Sequence, residues 1–90
     1  MIVQSSKAYK RDLKKLASSP EFLTSIEYIE VMYHLLNGMA LPAKYLDHAL
    51  SGEWQGFRDC HIKNDLVLIY KVEGDVLQLA RLNTHSEVFG

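Results

Sequence analysis

The sequence predicts an α+β fold, in which an N-terminal helical hairpin packs on a mainly antiparallel sheet in the order β-α-α-β-β-β. Three observations predict this fold: two helical patterns in the first half of the chain, three strand-like runs in the second half, and short polar turns between those runs. Ninety residues, 48% hydrophobic and 23% charged, suit one soluble globular domain, which we assign to residues 1–90.

The first half of the chain carries the helical patterns. "IVQSS" is suited to a short opening strand, and apolar residues recur at helical spacing from Ser6 to Ser18. A second helix is predicted from an N-cap at Ser19 and a proline at Pro20 to a glycine cap near Asn37–Gly38. Its apolar stripe is expected to cover the sheet and comprises Phe22, Ile26, Ile29, Tyr33 and Leu36.

The second half of the chain carries the strands. "GFRDCHI", "LVLIYKV" and "VLQLARLNT" are separated by "KND" and "EGD", which are polar turns of the length found in β-hairpins. The middle run is almost wholly apolar, as is typical of a central strand with both faces buried. These three runs therefore form the main part of the predicted sheet.

The formal net charge of −1 hides a basic cluster near the N-terminus. Within residues 1–20, Asp12 is the one acidic residue among five basic residues, which are Lys7, Lys10, Arg11, Lys14 and Lys15. Clustered positive charge can bind phosphate even on a protein of near-neutral net charge, because the local potential decides binding. The alternative is a solvated helix face without a ligand.

The cellular compartment is predicted from the single cysteine and the N-terminus. Cys60 cannot form an internal disulfide, and we expect it to be a buried thiol on a strand in a reducing compartment. The N-terminal charges follow a very short apolar patch, which is the wrong order for a secretion signal. No apolar run approaches the length of a membrane span. We expect a cytoplasmic protein that does not bind membranes.

Titratable side chains are concentrated in residues 47–65, "DHALSGEWQGFRDCHIKND". Asp59 and His61 share one face of the predicted strand, while His48 lies in the loop before it and Asp65 in the hairpin turn after it. A second set shares one face of the last strand, if that strand extends so far, and consists of Arg81, Asn83 and His85. We expect both sets to meet at one edge or end of the sheet.

Two chemistries suit such a group, and the residues alone leave both open. Histidine and carboxylate side chains could hold a divalent metal, although the spacing of His48, His61, Asp65 and His85 matches no metal motif. The other chemistry is metal-free cleavage of RNA. There a base takes the proton of the ribose 2′-OH, an acid protonates the 5′-oxygen, and a cation stabilises the charged phosphorane.

Two segments of the chain resemble a known family. "DHALSGEWQGFRDCHIKNDLVLIYKV" and "RLNTHSEVFG" are similar to the YafQ family of bacterial type II toxins, within the RelE/ParE superfamily. The resemblance extends from Leu41 to Gly90 and includes the ordered set D-H-x-L-x-G-x-W-x-G-x-R-D-x-H, then D and L-I-Y, then T-H and a terminal F-G. Leu66 stands where some members have tryptophan, and the sequence pI of 6.4 is lower than in the strongly basic RelE-type toxins.

The resemblance implies a ribosome-dependent endoribonuclease that cleaves mRNA in the ribosomal A site and so inhibits translation. Its implied partners are an inhibitory antitoxin, the ribosome with its rRNA, and mRNA, with operator DNA bound only through the antitoxin complex. It implies no cofactor and no metal. Two alternatives remain at this point: a non-catalytic, ParE-like topoisomerase inhibitor, and a metal-dependent hydrolase that uses the same residues.

The resemblance also implies roles for individual residues. The catalytic set is His48, His61, Asp65 and His85. The substrate-binding set is Arg81, Phe89 and, for docking on rRNA, Lys10, Arg11 and Lys14. We assign His85 as general acid and His48 as general base, with Asp65 assisting. Arg81 and His61 are expected to bind the phosphate, and Phe89 to fix the nucleotide or the His85 rotamer.

Overall fold

The computed structural model describes residues 1–18, 21, 25–63 and 65–90, and it has the predicted α+β architecture. Its elements in chain order are β1 Ile2–Ser5, α1 Lys7–Leu16, α2 Ile26–Leu36, β2 His48–Ala49, β3 Arg58–Lys63, β4 Leu66–Glu73, β5 Val76–Thr84 and α3 His85–Phe89. Single turns of 3₁₀ helix lie at Ala43–Tyr45 and Gly52–Trp54. No helix in the described part of the chain is long and apolar enough to cross a membrane.

One five-stranded sheet orders the strands β1-β5-β4-β3-β2. β1 runs parallel to β5, and the other three pairs are antiparallel. β4 is the central strand, as its apolar sequence predicts, and it buries Val67, Leu68, Ile69 and Tyr70. Two short elements were not predicted from the sequence, the two-residue strand β2 and the helix α3.

Serine caps begin both long helices. The Ser6 hydroxyl accepts a hydrogen bond from the Tyr9 N–H at 2.9 Å and donates one to the Ala80 carbonyl at 2.6 Å, so it joins α1 to β5. Ser25 caps α2 by accepting from the Tyr28 N–H. α2 ends at the predicted position, before Gly38 in the left-handed region. The start predicted at Ser19–Pro20 lies outside the described residues.

The apolar stripe predicted to pack on the sheet is the exposed face of α2. The side of α2 that packs on the sheet carries Val31 and Leu35, which are buried. Ile26 is 74% exposed and Tyr33 57% exposed, and Ile29 and Leu36 are exposed with them. Apolar residues occur on both sides of this helix, and their spacing fixes a period without saying which stripe faces the core. Phe22, also assigned to the stripe, lies outside the described residues.

The two faces of the sheet are covered differently. α1 and α2 cover one face, over a core that includes Cys60, Leu68 and Leu82. On the other face, Val67, Ile69 and Ala80 pack beneath side chains from the β2–β3 connection and α3, namely Leu50, Trp54, Phe57, Val88 and Phe89. Because side chains alternate along a strand, β3 directs Cys60 and Ile62 into the helix-covered core and Asp59 and His61 to the other face.

Candidate active site

Asp59 is the centre of a histidine cluster on the face of the sheet opposite the two long helices. Asp59 and His61 lie on the same face of β3, as predicted. The ladder between β2 and β3 pairs His48 directly with Asp59, which brings the second histidine to the same place. The prediction that His48 lies in a loop is therefore wrong, because two residues of this segment pair with β3.

The Asp59 carboxylate lies between the two imidazole rings. Its Oδ2 is 4.0 Å from His48 Nε2, and its Oδ1 is 3.7 Å from His61 Nε2. Asp59 is only 2% exposed, and Oδ1 has no hydrogen-bond partner among the described residues. Burial raises the pKa of the Asp59 carboxyl above its ordinary value, and the charges of His48, His61 and His85 act in the opposite direction.

A backbone carbonyl fixes the tautomer of His48. The ring nitrogen Nδ1 is 2.7 Å from the Leu46 carbonyl oxygen, which can only accept, so Nδ1 carries the proton and donates it. The neutral ring then has its lone pair on Nε2, the atom that faces Asp59. The His48 side chain is 53% exposed. Nε2 is therefore an accessible base beside a buried carboxylate.

Asp47 holds the segment that carries His48. Its carboxylate accepts two hydrogen bonds from Arg58, at 3.2 Å from Nε and 3.1 Å from Nη2, and a third from the Tyr70 hydroxyl. These bonds tie the residue before β2 to β3 and β4. This role of Asp47 was not predicted from the sequence, although Asp47 directly precedes His48 in the motif.

His85 reaches the site from the first turn of α3. We expected it on the last strand beside Arg81 and Asn83, but β5 ends at Thr84. The Thr84 side chain accepts a hydrogen bond from the Glu87 N–H, and this N-cap makes His85 the first residue of the helix. The His85 N–H donates to the Asp65 carbonyl at 3.1 Å, so the exposed β3–β4 turn and α3 are joined.

Phe89 packs against the general acid candidate. The rings of His85 and Phe89 are one helical turn apart in sequence, and their centroids are 4.7 Å apart with an interplanar angle of 51°. Phe89 also packs on the small core of the open sheet face, with Val67 and Ile69. This small core therefore holds the Phe89 ring in place, and the Phe89 ring in turn packs against His85.

Arg81 forms a bidentate ion pair with a buried aspartate. Asp12 of α1 is 4% exposed and accepts from Arg81 Nε at 2.8 Å and Nη2 at 3.3 Å. It also accepts from the Leu82 N–H at 3.0 Å and the Asn83 side-chain amide at 3.1 Å. Burial opposes the charge of Asp12, but the hydrogen bonds from Arg81, Leu82 and Asn83 outweigh it and lower the pKa of the carboxyl. From the sequence, Asp12 was predicted only to be the one acidic residue within a basic helix.

The five basic residues of α1, here called the α1 cluster, are Lys7, Lys10, Arg11, Lys14 and Lys15. All five are exposed, and none has an ion pair within the described ranges. Every other lysine and arginine is paired with an acidic side chain: Lys44 with Glu30, Lys63 with Glu27, Lys71 with Glu73, Arg58 with Asp47 and Arg81 with Asp12. The unbalanced positive charge is therefore confined to α1.

A polar groove connects the α1 cluster with the region around α3. It is lined by Ala8, Arg11, Asp12, Lys15, Arg81, Asn83 and Glu87. Lys15, which the sequence analysis left out of the predicted binding residues, is part of this lining.

A protein metal site needs at least three donor side chains that lie close together. Among the residues that the structure describes, no three His, Cys, Asp or Glu side chains are close enough together to hold a metal ion. Asp59 contacts two histidines, but the third, His85, interacts with it only electrostatically.

RelE-like toxins are the class that this fold and site define, with a layer of helices on one face of the sheet and histidines on the other. The chain belongs to the family of bacterial toxins of type II toxin–antitoxin systems designated YafQ, which matches residues 1–90. A putative toxin YafQ of Haemophilus influenzae is 51% identical over 90 residues, which cover 94% of this chain and 88% of the relative. An mRNA interferase toxin YafQ of Escherichia coli is 34% identical over 88 residues, which cover 98% of this chain and 95% of that relative.

Solved structures give the same assignment. A crystal structure of a YafQ mutant from E. coli superposes with a TM-score of 0.87 at 34% identity, covering 98% of this chain and 97% of its own. The DinJ–YafQ complex from E. coli gives a TM-score of 0.84 at 32% identity, with coverage of 98% and 97%. A metal-bound toxin from Helicobacter pylori gives 0.85 at 36% identity, with coverage of 99% of both chains.

Proposed function

We propose that this toxin is a ribosome-dependent endoribonuclease that cleaves mRNA in the ribosomal A site by acid–base catalysis, without a metal. The observation that carries the proposal is the meeting of His48 and His61 at Asp59, on the face that His85 and Phe89 also reach. The E. coli relatives are named mRNA interferases, which supports RNA as the substrate. A topoisomerase inhibitor without catalysis would not need such a cluster.

His48 is the general base in this mechanism. Its Nε2 carries the lone pair, is accessible, and takes the proton from the ribose 2′-OH, whose oxygen attacks the adjacent phosphorus. His85 is the general acid and gives a proton to the departing 5′-oxygen. The two residues come from opposite ends of the motif, β2 and α3, so that base and acid can lie on opposite sides of the phosphate.

The remaining residues bind and orient the substrate. His61 in its charged form stabilises the phosphorane, while Asp65 supports the turn that receives the His85 N–H. Arg81 is held by Asp12 through Nε and Nη2, so it acts on the phosphate through its field and its remaining donors. Phe89 fixes the His85 ring.

The α1 cluster is the docking surface for rRNA, because it holds the unpaired positive charge of the described residues. Reversing Lys10, Arg11 and Lys14 to glutamate is expected to weaken ribosome binding and to reduce the slope of log affinity against log salt by about two to three, because fewer counterions are released. Binding across a salt series measures both.

Matched single variants distinguish the effect of the α1 cluster on ribosome binding from the effect of the protein's net charge. Lys14→Glu and Lys44→Glu change the net charge equally, but Lys44 is paired with Glu30 on the other helix. Lys14→Glu is expected to weaken binding more. Equal affinity of the parent and the triple variant at every salt concentration would place the docking surface elsewhere.

An antitoxin is the second proposed partner. The E. coli relative was crystallised as a complex with DinJ. We infer that an antitoxin likewise binds this toxin and holds off its activity, and that operator DNA is bound only through that complex.

Cleavage is expected to continue when transition metals are removed. Purified toxin is added to ribosomes programmed with mRNA, with and without 1,10-phenanthroline, which binds transition metals and leaves ribosomal Mg²⁺ in place. An unchanged single-turnover rate is expected, because the base and acid are protein groups. Intact ribosomes are verified in the same samples. Loss of cleavage that added copper or zinc restores would replace this mechanism with a metal-dependent one, as the metal-bound H. pylori toxin makes worth testing.

A further inference from the structure

We propose that Asp59 is a positioning residue of the proposed ribonuclease: a buried counter-ion, shared by His48 and His61, that stabilises the imidazolium formed when His48 takes the 2′-OH proton. It does not touch the substrate itself. This inference rests on the proposed function and adds a residue outside the predicted site set.

The geometry gives Asp59 access to both rings and little access to anything else. Each of its oxygens faces one Nε2 atom, at 4.0 Å for His48 and 3.7 Å for His61. The residue is 2% exposed, so an RNA phosphate cannot reach it while both rings lie above it. Both rings are accessible, with side chains 53% and 32% exposed. The carboxylate therefore lies buried beside the two Nε2 atoms, while the rings themselves stay accessible to the substrate.

The fold itself gains little from this charge. A buried carboxylate loses its hydration, and Oδ1 recovers no hydrogen bond from the described residues. Asp12 shows the contrasting arrangement, since its carboxylate accepts four hydrogen bonds. A buried carboxylate oxygen without a hydrogen bond, such as Oδ1, is expected where a charge serves the reaction rather than stability.

The proton transfer explains the use of a negative charge at this position. As the 2′-oxygen bonds to phosphorus, its proton moves to His48 Nε2 and the ring becomes positive. The bond from phosphorus to the 5′-oxygen breaks, and that oxygen takes a proton from His85. The products are a 2′,3′-cyclic phosphate and a 5′-hydroxyl. Asp59 compensates the new charge on His48 from a fixed position, at low dielectric, with no reorganisation of water.

The charged groups that act on Asp59 come from three elements and one connecting segment. They are His48 from β2, His61 from its own strand, His85 from α3 and Asp47 from the segment before β2. The histidine charges favour the ionised carboxylate, whereas burial and Asp47 oppose it. Because the pKa of Asp59 is raised in the folded protein, its contribution to stability is fully present below the ordinary aspartate value and is lost as pH rises through the folded pKa.

Asp59→Asn tests the proposal because it keeps the shape and removes the charge. Single-turnover cleavage on programmed ribosomes, at saturating toxin, is expected to fall roughly ten- to a hundredfold, which is part of the effect of a general base. The acidic limb of the pH–rate profile is expected to move to lower pH, because the buried negative charge beside the two histidines is gone. The variant is expected to melt at or above the temperature of the parent at neutral pH, since the charge that opposes burial is gone.

The matched control is Asp75→Asn, which removes the same charge in the exposed turn between β4 and β5. It is expected to change neither the rate nor the pH profile. A lower melting temperature for Asp59→Asn, with activity that follows the folded fraction, would make Asp59 structural and overturn the proposal. So would a folded variant with the rate and profile of the parent. If the parent does not cleave, the proposed function fails, which is a separate result.

Discussion

His85→Ala is expected to slow single-turnover cleavage of ribosome-bound mRNA by roughly a hundred- to ten-thousandfold, the usual effect of losing a positioned general acid. The 5′-oxygen would then leave without a proton, which is the difficult part of the reaction. Ribosome binding is expected to change little, because the unpaired positive charge lies on α1 rather than on α3.

The stability of this variant should stay within about 1 kcal/mol of the parent. His85 is exposed, its ring packs against Phe89, and the hydrogen bond from its backbone N–H to the Asp65 carbonyl survives the substitution. The matched control is His34→Ala on α2, whose ring bonds the Glu30 carbonyl and which should cleave at the parent rate. Cleavage by a folded His85→Ala variant within about threefold of the parent would remove His85 from the mechanism.

Asp12→Ala is expected to have the largest effect on stability, a loss of about 3–5 kcal/mol in the free energy of unfolding. The substitution leaves the Arg81 guanidinium, the Leu82 N–H and the Asn83 amide without their acceptor. Proteins of this kind have a total of roughly 5–15 kcal/mol, so much of the fold's stability depends on this carboxylate. Urea unfolding of parent and variant measures the difference.

Asp75→Ala is the control for that measurement, because an exposed aspartate should change stability by no more than about 0.5 kcal/mol. The pH dependence gives a further check. The pKa of Asp12 is lowered in the folded state, so its contribution is present above the ordinary aspartate value and is lost as pH falls through the folded pKa. Asp12→Ala should therefore lose less stability on acidification than the parent. A loss below about 1 kcal/mol at neutral pH would contradict this role.

Most of the fold could be predicted from local patterns. Alternation and apolar runs located β3, β4 and β5, because the pleat of a strand and the burial of a central strand act directly on successive side chains. α3 was missed because five residues are too few to show a helical period. The side of α2 predicted to face the sheet was wrong because the helix is apolar on two sides. Only packing in the folded protein selects the side with Val31 and Leu35.

The candidate site could be predicted where neighbours in sequence share a face. Asp59 and His61 followed from alternation on one strand. The partner of Arg81 could not, because Asp12 is 69 residues away and meets it only when α1 lies along β5. The central place of Asp59 was also missed, since it depends on the pairing of β2 with β3. Long-range pairing of this kind leaves no local signal.

The ends of the cleaved RNA test the central claim most directly. Toxin is added to ribosomes carrying a defined codon in the A site, and the fragments are sequenced and their termini identified. Acid–base catalysis through the 2′-OH predicts a cut within the A-site codon, with a 2′,3′-cyclic phosphate on the upstream fragment and a 5′-hydroxyl on the downstream one. A 5′-phosphate on the downstream fragment, or no cut at the A site, would contradict the account.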